Sequence, residues 1–111
     1  MNSRTNIELE IDFTGAVLVR WTGRANERRP SASLEPVFER LLGMGRYLRF
    51  DFTEVEHMSS STLVVLLKFF KQLNAMGVGF DYRYDRSVSW QRMTFAQLDK
   101  VMAPQPSLIA A

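Results

Sequence analysis

The chain of 111 residues has no cysteine and a single histidine, His57. Without cysteine there is no disulfide, no thiolate nucleophile and no thiolate-held metal. With one histidine, a His-based catalytic triad or a multi-His metal site would need a second chain. Long apolar runs are also missing. The longest, Leu63 to Leu67, is far too short to cross a bilayer. No Gly-rich phosphate loop and no nucleophile elbow is present. The first six residues are polar, which is unlike a signal peptide. A formal net charge of +2 is too small to imply nucleic-acid or membrane binding by itself. These absences predict a cytoplasmic protein that is not an enzyme and has no cofactor and no metal.

What is present describes one core. The chain is 46% hydrophobic and 23% charged, an ordinary globular mix, and its length suits a single domain over 1–111. Residues 1–5 and 104–111 are expected to be flexible, with Ser107 to Ala111 left open as a short strand.

The central stretch runs from Tyr47 to Tyr84. Leu48-Arg49-Phe50-Asp51-Phe52 alternates apolar and charged side chains, the mark of a half-buried strand. A short loop then leads to Ser59-Ser60-Ser61-Thr62, whose hydroxyls suit a helix start. Leu63 to Leu73 continues as that helix, and Gly77 ends it. Gly79 to Tyr84 alternates again. Strand, helix and strand form a βαβ unit with parallel strands.

Upstream, Ile7, Leu9, Ile11 and Phe13 alternate with Glu8, Glu10 and Asp12, and Val17, Val19 and Trp21 form the apolar face of a second strand. Thr14-Gly15 between them predicts an antiparallel hairpin. The second strand should end at Thr22-Gly23, and residues 24–33 should form a loop. Ser33 is a candidate cap for a helix with Leu34, Val37, Phe38, Leu41 and Leu42 on one stripe, which puts Pro36 in its first turn. Gly43 and Gly45 should end it. Downstream, Asp85 to Ser89 offers helix caps. Thr94-Phe95-Ala96-Gln97 matches a capping box, so residues 88–102 read as one helix or two short ones.

The strands keep a polar face of Glu8, Glu10, Asp12, Arg20, Arg49, Asp51, Asp81 and Arg83. A parallel sheet covered on both sides would be apolar throughout. The expectation is therefore an α/β fold with a mixed four- to five-stranded sheet. Its helices should lie mainly on one face, with charges paired across strands on the other. The middle helix should be the most buried, with Leu63, Val64, Leu66, Leu67, Phe70 and Leu73 holding much of the core.

Phe50-Asp51-Phe52-Thr53 through His57-Met58-Ser59-Ser60-Ser61-Thr62-Leu63 resembles the core motif of STAS domains, the anti-sigma-factor antagonists. That family shows a strand with a central Asp, then Asp-Ser-Ser-Gly-Leu at a helix start. Here Ser59 stands for the Asp and Thr62 for the Gly. Trp21-Thr22-Gly23 is similar to the end of the family's second strand, and the order of elements agrees. Tyr82 to Asp85 and the serine segment also look like the SiaC-like group of bacterial regulatory phosphoproteins. The resemblance implies a partner switch in which a Ser/Thr kinase modifies the first motif serine and a phosphatase reverses it. By position that serine is Ser60, with Ser59, Ser61 and Thr62 as alternatives. His57, Met58, Ser59, Ser60, Ser61 and Thr62 would meet the partner, an anti-sigma-like kinase or another signalling enzyme. A homodimer stays open.

Blander readings stand beside these. A hydroxyl cluster before an apolar helix is most often only a cap. Asp51, Asp81 and Asp85 could form a carboxylate cluster, but pairing with Arg49 and Arg83, and helix capping by Asp85, is simpler. Arg20, Arg24, Arg28 and Arg29 with Trp21 make a local basic patch. The alternative function is a small-ligand or nucleic-acid site in that arginine-rich loop, residues 20–29.

Overall fold

The computed structural model describes residues 5–26 and 28–102. Its elements are β1 (Asn6–Ile11), β2 (Val17–Ala25), α1 (Pro30–Met44), β3 (Leu48–Met58), α2 (Ser60–Met76), β4 (Phe80–Arg83) and α3 (Ser89–Met102). The sheet has four strands in the order β1-β2-β3-β4. β1 and β2 form the expected antiparallel hairpin, and β2, β3 and β4 are parallel. The segments proposed as flexible, and the strand left open at Ser107 to Ala111, fall almost wholly outside the described residues.

Alternation decides which side of the sheet is covered. Val17, Val19 and Trp21 of β2 and Leu48, Phe50 and Phe52 of β3 are fully buried and pack with residues of all three helices. Burying each such side chain stabilises the fold by about 1.5–3 kcal/mol. The opposite face carries a row of alternating sign, Glu8, Arg20, Asp51 and Arg83, one residue from each strand. Arg20 lies 4.0 Å from Glu8, and Arg83 lies 4.0 Å from Asp51. A face neutralised across its own strands needs no second helical layer.

α2 has the ends its residues suggest. Ser59 caps it, and Gly77 takes the left-handed conformation at φ 73° beyond Met76. Val78 N–H donates to Leu73 O at 2.9 Å, closing the helix with a six-residue hydrogen-bonded turn. Leu66, Phe69, Phe70 and Leu73 are buried, whereas Val64, expected in the core, is 49% exposed.

Several boundaries differ from the sequence reading. β2 continues through Gly23 to Ala25, because Gly23 adopts φ 82° within an irregular part of the β2–β3 ladder. β3 does not give way to a loop after Phe52 but runs to Met58. Register shifts after Arg20 and after Gly23 each give β3 one extra residue, so its inward positions fall at Phe52, Val55 and Met58. A spacing of three hides a strand from a period-two reading.

α1 begins at Pro30, not after Ser33. Its cap, Arg29, makes no side-chain cap hydrogen bond, and proline at the first position has no N–H to satisfy. Pro36 therefore lies inside the helix. The carbonyl it leaves free, that of Ala32, belongs to an exposed turn, where water can bond it. Gly43 stays helical and Gly45 alone ends α1. α3 is one helix, since Gln91, Phe95 and Leu98 form one buried stripe that runs through the capping-box residues. Asp85 does not cap it but closes a turn, accepting from the amide and hydroxyl of Ser87. Phe13 leaves the strand and stands at the hairpin tip, 101% exposed.

Candidate functional site

Parallel β2 and β3 end at the same edge of the molecule, and each leads into a helix there. The β3–α2 connection is one residue, Ser59. Its N–H donates to Ala25 O at 2.9 Å, which extends the β2–β3 ladder to the helix cap. Its carbonyl accepts the first helical bond, from Leu63 N–H at 3.0 Å. Its Oγ accepts from Thr62 N–H at 3.2 Å and shares a hydrogen bond with Thr62 Oγ1 at 2.8 Å. A weaker contact joins Ser59 Oγ and Ser61 Oγ at 3.3 Å.

These bonds sort the four hydroxyls. Thr62 is buried, and Ser59 is half-buried and occupied as the cap. Ser60 and Ser61 are exposed. Among the described residues the Ser60 side chain has no hydrogen-bond partner, and the first turn of α2 contains no acidic residue to offset its positive end. A phosphate adds about −1.5 to −2 charges at neutral pH, and that helix end would accommodate it without unfolding the domain.

Of the other predicted contact residues, His57 is exposed one residue before the end of β3, and Met58 points into the core. Arg24 lies opposite His57 in the ladder, and Arg28 and Arg29 are exposed just before α1. The serine junction and these arginines thus share one end of the sheet. The basic patch is smaller than the sequence suggested. Trp21 is fully buried against Phe52, and Arg20 lies mid-sheet beside Glu8.

The three aspartates do not converge. Asp51 faces Arg83, Asp81 accepts from Tyr47 OH at 3.1 Å, and Asp85 is held in its turn. The Ser87 bonds hold the Asp85 carboxyl below the usual carboxylate range, and the Thr14 hydroxyl does the same for Asp12. Among the described residues no cluster of His, Asp and Glu could hold a metal ion, and no helix is long and apolar enough to cross a membrane.

Sequence reasoning missed two polar links that hold α3 in place. Gln91 is buried. Its Nε2 donates to Thr53 O at 3.2 Å and Val55 O at 3.0 Å, and its Oε1 accepts from Asp85 N–H at 2.7 Å. Asp99 accepts from Tyr82 OH at 2.5 Å and Tyr84 OH at 2.9 Å. Burial pushes the Tyr82 hydroxyl well above its ordinary range, and the Asp99 carboxylate pushes it further; the same causes raise Tyr84. The only signal for Gln91 was its place four residues before Phe95 on one helical stripe.

No protein-family model matches the sequence, and no curated protein matches it. Among solved structures, the chain is similar to the crystal structure of an anti-sigma factor antagonist from Mycobacterium paratuberculosis. The two are 20% identical, the match covers 92% of this chain and 86% of that one, and the TM-score is 0.69. This likeness shows the fold, which is the STAS-like α/β domain that the serine motif implied.

Proposed function

We propose that the protein is a non-enzymatic regulatory binding module, resembling an anti-sigma-factor antagonist in a partner-switching pathway. Its contact surface is the exposed start of α2 with the end of β3: His57, Ser60 and Ser61, backed by Ser59 and Thr62. A Ser/Thr kinase, itself the partner or part of it, modifies Ser60, and a phosphatase restores it. The observation that carries this reading is the division of labour among the hydroxyls. Ser59 and Thr62 are bonded to each other, whereas Ser60 beside them is exposed and has no hydrogen-bond partner among the described residues. A modification there leaves the cap intact.

The energetics agree. On the free protein the phosphate meets an unpaired helix start, an interaction of about 0.3–1 kcal/mol. Inside a docked interface it is a buried charge without a counterion, costing about several kcal/mol. Since about 1.4 kcal/mol is tenfold in affinity, one phosphate is enough to release the partner.

Two measurements on protein from its native cell test the reading. Intact mass with peptide mapping should find phosphate on Ser60. Capture of the cognate kinase should fail with Ser60→Asp and survive with Ser60→Ala. Equal capture by both variants would remove the switch. Salt-dependent affinity for RNA or nucleotides that is lost with Arg28→Ala and Arg29→Ala would favour the arginine segment as a ligand site instead.

A further inference from the structure

The arginine-rich segment is a motif of the sequence that the Ser60 surface does not absorb. It makes a poor nucleic-acid site. Trp21, the aromatic that could stack on a base, is fully buried, and Arg20 lies mid-sheet beside Glu8. What is left is a short run that leads into α1: Arg28 and Arg29, then Pro30, then Ser31. Arg28, Arg29 and Ser31 are exposed, whereas Pro30 is buried. Neither arginine forms an ion pair among the described residues.

The Ser31 hydroxyl is not spent on the fold. Among the described residues it has no hydrogen-bond partner. The exposed run from Ser31 to Ser33 lies between buried Pro30 and buried Leu34, which hold it out on the surface. Two arginines stand three and two residues before Ser31. A kinase with acidic side chains in its peptide cleft can read that pattern, because charge at a fixed spacing is one way kinases sort substrates. Ser60 has no such flank. His57 and Met58 stand at the same distances before it, with Glu54 and Glu56 further back.

We propose that Ser31 is a second phosphorylation site, modified by a basophilic Ser/Thr kinase that reads Arg28 and Arg29. The γ-phosphoryl group passes from ATP to Ser31 Oγ, the hydroxyl proton passes to the kinase's catalytic carboxylate, and ADP leaves. The phosphate brings about −1.5 to −2 charges, which offsets the two arginines beside it. Ser31 also lines the groove between α1 and α2, together with Glu35 and Lys68. The modification therefore changes the charge at the edge that carries Ser60 without altering a residue of that surface. The assignment stands whether or not Ser60 is modified.

Phosphoryl transfer to the folded protein tests this. The probe is the catalytic subunit of cAMP-dependent protein kinase, which selects this dibasic spacing, with ATP and Mg²⁺. The intact mass should rise by one phosphate, and peptide mapping should place it on Ser31. Ser31→Ala should abolish the transfer. Arg28→Ala with Arg29→Ala should slow it at least tenfold, and Ser60→Ala should leave it unchanged. Circular dichroism should show these variants folded, since the replaced side chains are exposed. In protein from its native cell, mapping should find phosphate on Ser31. The double arginine variant expressed there should lose it, while the occupancy of Ser60 does not change. Three results would overturn the proposal: transfer by the probe kinase to another hydroxyl or to none, native protein without phosphate on Ser31, or a Ser31 phosphate that survives loss of both arginines.

Discussion

Gln91 of α3 donates from Nε2 to the carbonyl oxygen of Val55 in β3, 3.0 Å away. The bond lies where the sheet runs out. β4 pairs with β3 only as far as Asp51, opposite Arg83, so the next stretch of β3 has no strand beside it on that side. Gln91 supplies donors to the carbonyls of Thr53 and Val55 in place of a strand. It thereby steadies the end of β3 that carries Ser59.

Replacing this side chain by an unbranched apolar one strands all its partners. Each buried group left without a partner costs about 1–3 kcal/mol, so Gln91→Met should lose about 2–4 kcal/mol in urea unfolding. Amide exchange along residues 53–58 should speed up more than in β1. Unchanged stability would mean that water or a neighbouring group serves those carbonyls equally well.

The Tyr82–Tyr84–Asp99 cluster predicts an alkaline weakness. Both tyrosine hydroxyls are raised in the folded protein above the ordinary value of 10.0. A group raised in this way contributes stability that is fully present below the unfolded value. The contribution falls as the pH climbs through 10 toward the folded value, because the unfolded chain releases protons first. Stability measured between pH 8 and pH 11 should therefore decline, and Tyr82→Phe should flatten the decline. Asp99→Ala should cost about 1–3 kcal/mol, since it removes the acceptor shared by two tyrosine hydroxyls.

Adjacent serines should behave differently in thermal or urea unfolding. Ser59→Ala removes the cap of α2 and should cost about 0.5–2 kcal/mol. Ser60→Ala touches no hydrogen bond and should stay within about 0.5 kcal/mol of the parent. Equal losses would place Ser60 in the structural network and weaken its reading as a free acceptor.

Much of the fold was legible where local chemistry and packing agree. The hydroxyl-rich start of α2, the Gly77 stop and the Val17-Val19-Trp21 face are each specified by residues close in sequence. The full length of β3 was not, because the irregular ladder moves its inward residues to a spacing of three. The Thr94 capping box misled because the Gln91, Phe95 and Leu98 stripe binds α3 to the core as one piece. At the candidate site, the sequence located the serines but could not sort them. That sorting depends on one hydroxyl–hydroxyl bond, Ser59 to Thr62, and on the burial of Thr62. Nor could it show that Arg24 and His57 lie opposite each other, since their pairing joins residues far apart in the chain.

The central claim is that a charge on Ser60 is read by a partner and ignored by the fold. Titration calorimetry of the cognate kinase against the protein with and without phosphoserine installed at position 60, beside melting curves of both forms, measures this directly. The account predicts binding weakened at least tenfold by the phosphate, with melting temperatures within a few degrees of each other. Equal affinity for the two forms, or a phosphorylated protein that no longer folds, would contradict it.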